Sequence, residues 1–270
     1  MTRIFNIKDP LVDIIYVVPF PLSNDVLDYY MSILELVEVE HADKRINIVV
    51  PENYVKFKRH LCLTQQLLYS PKALKQIKKL TEGKSCYIVP GKVSMYDYKL
   101  STILSVPIYS GDPHTTSILK TKSGAKQIFE EAKIPMPIGS ANVNGGNFYR
   151  ELTKLIASNL FINTWLFKID TEYNGRGHAS FTVDKIKTIT ELRKKKVEMT
   201  EAILEKLQGV IEKSVPKKVN IAMKSLFRDW NTYFTRYCEI GGVIEAVPLC
   251  APGHIGKPSI SFLIEPNGIV

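Results

Sequence analysis

The sequence predicts an α/β chain in which a Rossmann-like, parallel-sheet lobe comes first and an α+β lobe follows. Three observations carry this. Short apolar, β-branched runs alternate with helical periodicity from Asp13 to Gly111. A proline-stiffened stretch, IPMPIG at 134–139, has the build of a hinge. The segment Trp165–Ser180, WLFKIDTEYNGRGHAS, reads as a β-hairpin whose first strand ends in a lone lysine. The expected division is a first domain at residues 1–112 and a second at 113–270.

In the first domain, DIIYVV (13–18) is a buried-strand pattern. Asn24 and Asp25 are caps for a helix with Val26, Leu27, Tyr30, Leu34 and Val37 at helical spacing. INIVV (46–50) is the second strand, closed by Pro51. Ser70-Pro71 opens a helix as cap and first-turn proline, with Leu74, Ile77 and Leu80 inward and lysines outward. YIV (87–89) is a third strand, Ser94–Leu104 a helix, and VPIYSG (106–111) a fourth strand. Strand–helix alternation with these gaps means a parallel sheet covered by helices. No G-x-G-x-x-G follows the first strand, so a dinucleotide site is not indicated.

In the second domain, TKSGAKQIFEEA (121–132) predicts a helix whose apolar face is Ala125, Ile128, Phe129 and Ala132. Lys122 stands in its first turn, where positive charge is disfavoured by the helix dipole; it is either a solvated lysine or one that meets an anion. A helix bearing Phe148, Leu152, Leu155 and Ile156 precedes the hairpin, and one bearing Ile203, Leu204, Leu207 and Ile211 follows it. Arg193–Lys196 is a basic run of the kind that usually forms a solvated helix face. Val219–Ala222 is a short strand. Leu226, Trp230, Tyr233, Phe234 and Tyr237 form an aromatic stripe better suited to a core than to stacking bases. Gly241-Gly242 opens the strand VIEAV with its single carboxylate, Glu245; Ser259–Ile264 is a final strand.

The hairpin carries the functional reading. Asn174-Gly175 accept the positive φ of a tight turn, and the loop to Gly177 has little side-chain bulk. Such a loop can close on a phosphate chain and aim N–H groups at it, beside the ammonium of Lys168. Taken alone, an Asn-Gly hairpin is more often structural. No Walker spacing occurs, since SGAK lacks G-x-x-x-x-G-K-[ST].

Composition limits the classes. With 45% hydrophobic and 23% charged residues, the chain is that of an ordinary globular protein. A formal charge of +9 suits anionic partners such as nucleotides or acidic proteins, and the even spread of lysines argues against a nucleic-acid surface. The four cysteines form no C-x-x-C pair and no H-E-x-x-H occurs, so neither a disulfide framework nor a metal site is indicated. That fits a reducing, cytoplasmic setting. The N-terminus lacks the build of a signal peptide, and no apolar run approaches the ~20 residues of a membrane helix. The ending, EPNGIV, follows directly on a turn signal and has the form of a chain cut short.

The ordered set TKSGAKQIF, IPMP, WLFKIDTEYNGRGHA, GGVIEAVP and PSISFLIEPNG resembles the ATP-grasp superfamily. Within it, the set is most similar to the ATP-grasp-like region of the IQ-motif-containing protein H family, which is associated with motile cilia and sperm flagella. The resemblance covers the chain from about Asp13 onward. It implies a Rossmann-like pre-ATP-grasp domain followed by an incomplete ATP-grasp domain, truncated before its metal-binding end. It implies ATP as cofactor, with Lys122 and Lys168 reaching the phosphates and Asn174, Gly175, Arg176 and Gly177 folding over them. Glu245 would lie on the hinge strand whose backbone pairs with adenine and whose acid holds the ribose. Active members make an acyl phosphate with magnesium held by late carboxylates. That region is absent here, and Glu265 is not a suitable ligand, so Mg²⁺ is expected only where further sequence supplies it. The expectation is a nucleotide-binding scaffold or regulatory component of the axoneme, with acidic axonemal partners and no catalytic residue. The alternative is a carboxylate–amine or carboxylate–thiol ligase whose metal-binding part lies outside this chain. No I-Q-x-x-x-R-G motif occurs.

Overall fold

The computed structural model describes residues 2–58, 60–195, 199–248, 260 and 262. The chain divides into two compact units, Met1–Ser117 and Ile118–Val270. No helix among the described residues is long and apolar enough to cross a membrane.

The first unit is built on a βαβ element. Strand β1 (Ile14–Val17) pairs in parallel with β2 (Ile46–Val49), Ile14 opposite Ile46 and Val17 opposite Val49. Between them run α1 (Asn24–Leu36) and a single turn, α2 (Ala42–Arg45). Leu34, Ala42, Val39 and Ile7 close one small core. Helices α3 (Leu63–Leu68), α4 (Pro71–Thr81) and α5 (Met95–Leu104) follow, and Leu67, Ala73, Ile77 and Leu100 pack with Val49 into a second. The helix α6 (Pro113–Leu119) runs across the division between the units.

Two expectations change here. The third and fourth strands shrink to one parallel bridge, Ile88 opposite Ile108. Ile88 donates to the Pro107 carbonyl and Tyr109 to that of Ile88, both at 2.8 Å. Pro90 and Pro107 have no N–H, so the ladder has no donors with which to extend. Ser70 does not cap α4; its hydroxyl donates back to Gln66 O at 2.8 Å. The cap comes from Glu52, whose carboxylate accepts the N–H groups of Lys72 (2.7 Å) and Ala73 (3.0 Å).

Among the described residues, the second unit is built on one antiparallel sheet of five strands in the order β3-β7-β4-β5-β6. The strands are β3 (Gly139–Val143), β4 (Thr164–Ile169), β5 (His178–Thr182), β6 (Asn220–Ile221) and β7 (Gly242–Ala246). Its helices are α7 (Lys122–Glu131), α8 (Phe148–Ser158), α9 (Lys187–Lys195), α10 (Glu201–Lys218) and α11 (Trp230–Ile240). Strand alternation decides which face is core. Trp165, Phe167 and Ile169 of β4 are fully buried, and Phe181, Ala179 and Ile244 face the same way across the ladder. They meet Phe148 and Leu152 of α8, Leu207 and Ile211 of α10, and Trp230, Tyr233 and Tyr237 of α11. The aromatic stripe is therefore core: Phe148 stands edge-on to Phe167, Phe234 and Tyr237 at 5.0–5.2 Å between ring centres. Leu226 alone of the stripe lies outside α11, 45% exposed.

The first residue of the expected basic run, Arg193 on α9, has a structural use. Arg193 donates to Leu160 O (2.6 Å) and Ile162 O (3.1 Å), fixing the approach to β4. The strand expected at Ser259–Ile264 falls outside the described residues, apart from Ile260 and Phe262.

Candidate functional site

The other face of the sheet carries the chemistry. Leu166 and Lys168 alternate with the buried residues of β4, and Glu245 stands directly opposite Leu166 on β7. Lys168 and Glu245 are thus diagonal neighbours on one face, within reach of a long side chain. The Lys168 ammonium forms an ion pair and hydrogen bond with Glu245 Oε2. On β5, His178 is the cross-strand neighbour of Lys168.

Helix α7 lies over the β3–β7 side of this face. Here the expected apolar face is reversed. Ser123, Gly124 and Lys126 are buried, while Ile128 and Phe129 are 38% and 45% exposed. Polar bonds fix the orientation. Ser123 N donates to Asp170 Oδ1 (2.8 Å), Asn142 N donates to Ser123 Oγ (3.0 Å), and that hydroxyl donates to Gly242 O (3.3 Å). Gly124 lets the first turn of α7 lie close to the end of α6, since a Cβ there would sit 2.2 Å from Ile118 O. Asp170 thus ties the base of the hairpin loop to the first turn of α7, the end of the helix that favours an anion.

This docking delivers two lysines to the site, one turn apart on one side of the helix. Lys126 is 8% exposed; its ammonium donates to Pro137 O at 2.9 Å and lies 3.6 Å from Glu245 Oε1. Glu245, 14% exposed, is therefore held between Lys126 on one oxygen and Lys168 on the other. Lys122 reaches the loop instead, donating to Ile169 O (2.7 Å), Glu172 O (2.5 Å) and, more distantly, Asp170 O (3.4 Å). Burial pulls its pKa below the usual lysine range; the Asp170 carboxylate opposes that fall and the like charge of Lys168 adds to it.

The loop itself is a type I′ turn at Tyr173–Arg176. Asn174 and Gly175 have φ of 53° and 75°, and Arg176 N donates to Tyr173 O at 3.1 Å. The N–H groups of Asn174 and Gly175 have no hydrogen-bond partner among the described residues. Arg176 is exposed and lies 3.8 Å from Glu172. Gly177 is buried, and a Cβ on it would meet Glu172 Cβ at 2.5 Å and Ile169 Cβ at 3.0 Å. From the core side, the Tyr233 hydroxyl shares its one proton between Phe167 O (3.2 Å) and Gly177 O (3.0 Å), at the two ends of the loop.

The family described as "IQCH-like, ATP-grasp" matches residues 113–270. The chain belongs to this family. It is also 32% identical over 292 residues to IQ motif-containing protein H of Danio rerio, an alignment that takes in all of this chain and 27% of that protein. The chain thus spans about a quarter of the length of the relative it matches.

Against this family background, the structure brings together Lys168 and Glu245, with Lys122 close enough to feel both charges. The turn at Asn174, Gly175, Arg176 and Gly177 rises from the end of the strand that carries Lys168. Two further features of the site's geometry bear on its use. The Lys122 ammonium places its three donors on the carbonyls of Ile169, Asp170 and Glu172, at the base of the loop. Strand β7 lies between β3 and β4 and is paired on both edges. The pairing continues to Ala246 N on Ile138 O and Val247 N on Thr164 O. Lys126 was not among the expected site residues. Its signal was its place four residues beyond Lys122, on the same side of α7. No group of three or more His, Cys, Asp or Glu side chains that could hold a metal ion is found among the described residues.

Proposed function

We propose that this ATP-grasp domain binds ATP, with the triphosphate taken by Lys168 and by the N–H groups of the Asn174–Gly177 turn, and with Glu245 at the ribose. One observation carries the reading. On this face of the sheet Lys126 and Lys168 meet Glu245, with Lys122 near both charges, beside a turn whose Asn174 and Gly175 N–H groups have no hydrogen-bond partner among the described residues. The donor set suits the ligand, because a triphosphate needs several positive charges and aimed N–H donors at once. Arg176 at the tip of the turn can close over the phosphates, and Lys122 keeps the base of the turn in place while it does so. The family membership of residues 113–270 supports the same ligand.

The first unit fits a Rossmann-like pre-ATP-grasp domain. Its β1–α1–β2 crossover and the parallel Ile88–Ile108 bridge support that reading. We place the domain boundary near residues 112 and 113, where the family match begins. The physiological role we favour is a nucleotide-binding scaffold or regulatory component of the ciliary axoneme. The resemblance implies that setting, and the net charge of +9 favours acidic partners there.

Calorimetric titration of ATP into the full chain, with and without magnesium, tests the site. Binding is expected for the parent chain and is expected to be lost in Lys168→Ala with the fold intact by circular dichroism. Equal affinity in both would remove Lys168 from the phosphates and end this reading. A tagged chain found only in the cytosol of ciliated cells would remove the axonemal part.

A further inference from the structure

The two lysines on Glu245 differ in a way that the ligand-binding role of Lys168 alone does not explain. Lys168 is 24% exposed, and its ammonium's one partner among the described contacts is Glu245. Lys126 is 8% exposed and has a second anchor, the Pro137 carbonyl at 2.9 Å in the stretch that leads into β3. One cation is therefore free to turn outward and the other is fixed.

We propose that Lys126 is a positioning residue, the permanent counter-ion of Glu245, which allows Lys168 to be handed to an incoming polyphosphate. The inference rests on the reading that Lys168 meets phosphates. When the Lys168 ammonium moves to a phosphate oxygen, it leaves Glu245 Oε2. A largely buried carboxylate stripped of its cation is costly, and that cost would be subtracted from the binding of the ligand. With Lys126 in place, Glu245 keeps a cation on Oε1 throughout, and the linker carbonyl keeps that cation in register. The charged groups around the carboxylate are Lys168 on β4, Lys126 and Lys122 on α7, and, more remotely, Asp170 and Glu172 of the loop, which act on the same lysines. His178 lies beside Lys168 on β5.

The test uses the full chain and inorganic tripolyphosphate, which has no ribose for Glu245 to hold. Affinity is measured by calorimetry for the parent, Lys168→Ala, Lys126→Met, Lys126→Arg and the double variant Lys126→Met/Glu245→Gln. Lys126→Met is expected to weaken tripolyphosphate binding roughly thirtyfold, the scale for stripping one partner from a buried charge pair. Lys126→Arg, which keeps the charge, is expected to stay close to the parent. The double variant is expected to recover affinity to within about threefold of the parent or better, because no carboxylate is left to strand. A lysine that merely supports the fold, or that touches the phosphate itself, would not be rescued by Glu245→Gln. A double variant as weak as Lys126→Met therefore overturns the inference while leaving the nucleotide reading intact, as does Lys126→Met binding like the parent. Lys168→Ala binding like the parent overturns both. Should Lys126→Met fail to fold, the double variant and Lys126→Arg decide: folded and binding supports the inference, folded and weak overturns it.

Discussion

The two faces of the β4–β7 ladder are made from alternate residues of the same strands, yet they obey different rules. On one face Trp165, Phe167, Ile169 and Ile244 are sealed among aromatic rings from α8 and α11. On the other, Leu166, Lys168 and Glu245 stay within reach of water. The first face fixes the position of the second. Because the side-chain period of a strand is two, the burial of Phe167 determines where Lys168 points. A site built this way needs no strain in the strand; it inherits precision from the packing behind it.

The comparison is most sharply tested by exchanging the roles of neighbours. Phe167→Ala removes a fully buried ring that contacts Phe148, Phe181 and Trp230. It is expected to cost about 3–5 kcal/mol in denaturant unfolding of the second unit. Lys168→Ala, one residue on, leaves Glu245 its second cation, Lys126, and is expected to cost no more than about 1–2 kcal/mol while ligand binding is lost. If the two substitutions destabilise equally, the separation of core face from binding face is wrong.

A smaller effect tests how the turn is joined to the ladder. Gly177→Ala sets a methyl 2.5 Å from Glu172 Cβ, closer than relaxed Cβ contacts come, and 3.0 Å from Ile169 Cβ at the loop base. A loss of about 1–3 kcal/mol is expected, together with weakened ATP binding as the turn shifts. Gly175→Ala, by contrast, meets only ordinary van der Waals contact, its nearest atom being His178 Nδ1 at 3.7 Å, and acts through its φ of 75°. Amide exchange over 170–178 separates the two, with faster exchange expected for Gly177→Ala.

What the sequence disclosed follows the range of the interactions involved. The hairpin was legible because Asn174-Gly175 and the flanking alternation are local signals. Helices α8, α10 and α11 were legible because each has its own apolar period. The orientation of α7 was not. Ile128 and Phe129 outweigh Ser123 and Lys126 on any hydrophobic scale, and the bonds that reverse the preference come from Asp170, Asn142 and Gly242, residues distant in the chain. The same holds for Glu245. Its acid was recognisable, but the two-sided pairing of β7 depends on β3 and β4, strands distant in the chain. Lys126 was hidden in plain view, since spacing relates it to Lys122 but only the Glu245 contact gives it a task.

The smallest expected effect concerns the helix behind the core face. Asp229 caps α11, accepting from Thr232 N at 2.9 Å and from the Thr232 hydroxyl at 2.9 Å. The Thr232 N–H, then its hydroxyl, hold the Asp229 carboxyl below the usual aspartate range. A carboxyl whose folded pKa is depressed stabilises the fold above its unfolded pKa, and that stability is lost as pH falls through the folded value. Asp229→Ala is therefore expected to lower the melting temperature modestly at neutral pH, and the gap between parent and variant is expected to close on acidification below the ordinary aspartate range near pH ~4. Because α11 supplies Trp230 and Tyr233 to the core and the Tyr233 hydroxyl to the loop, the loosened cap is also expected to raise amide exchange at Gly177 without changing Lys168. A gap that stays constant with pH would show that the cap acts through Thr232 packing and not through the charge of Asp229, and the core face would then owe nothing to electrostatics at this helix end.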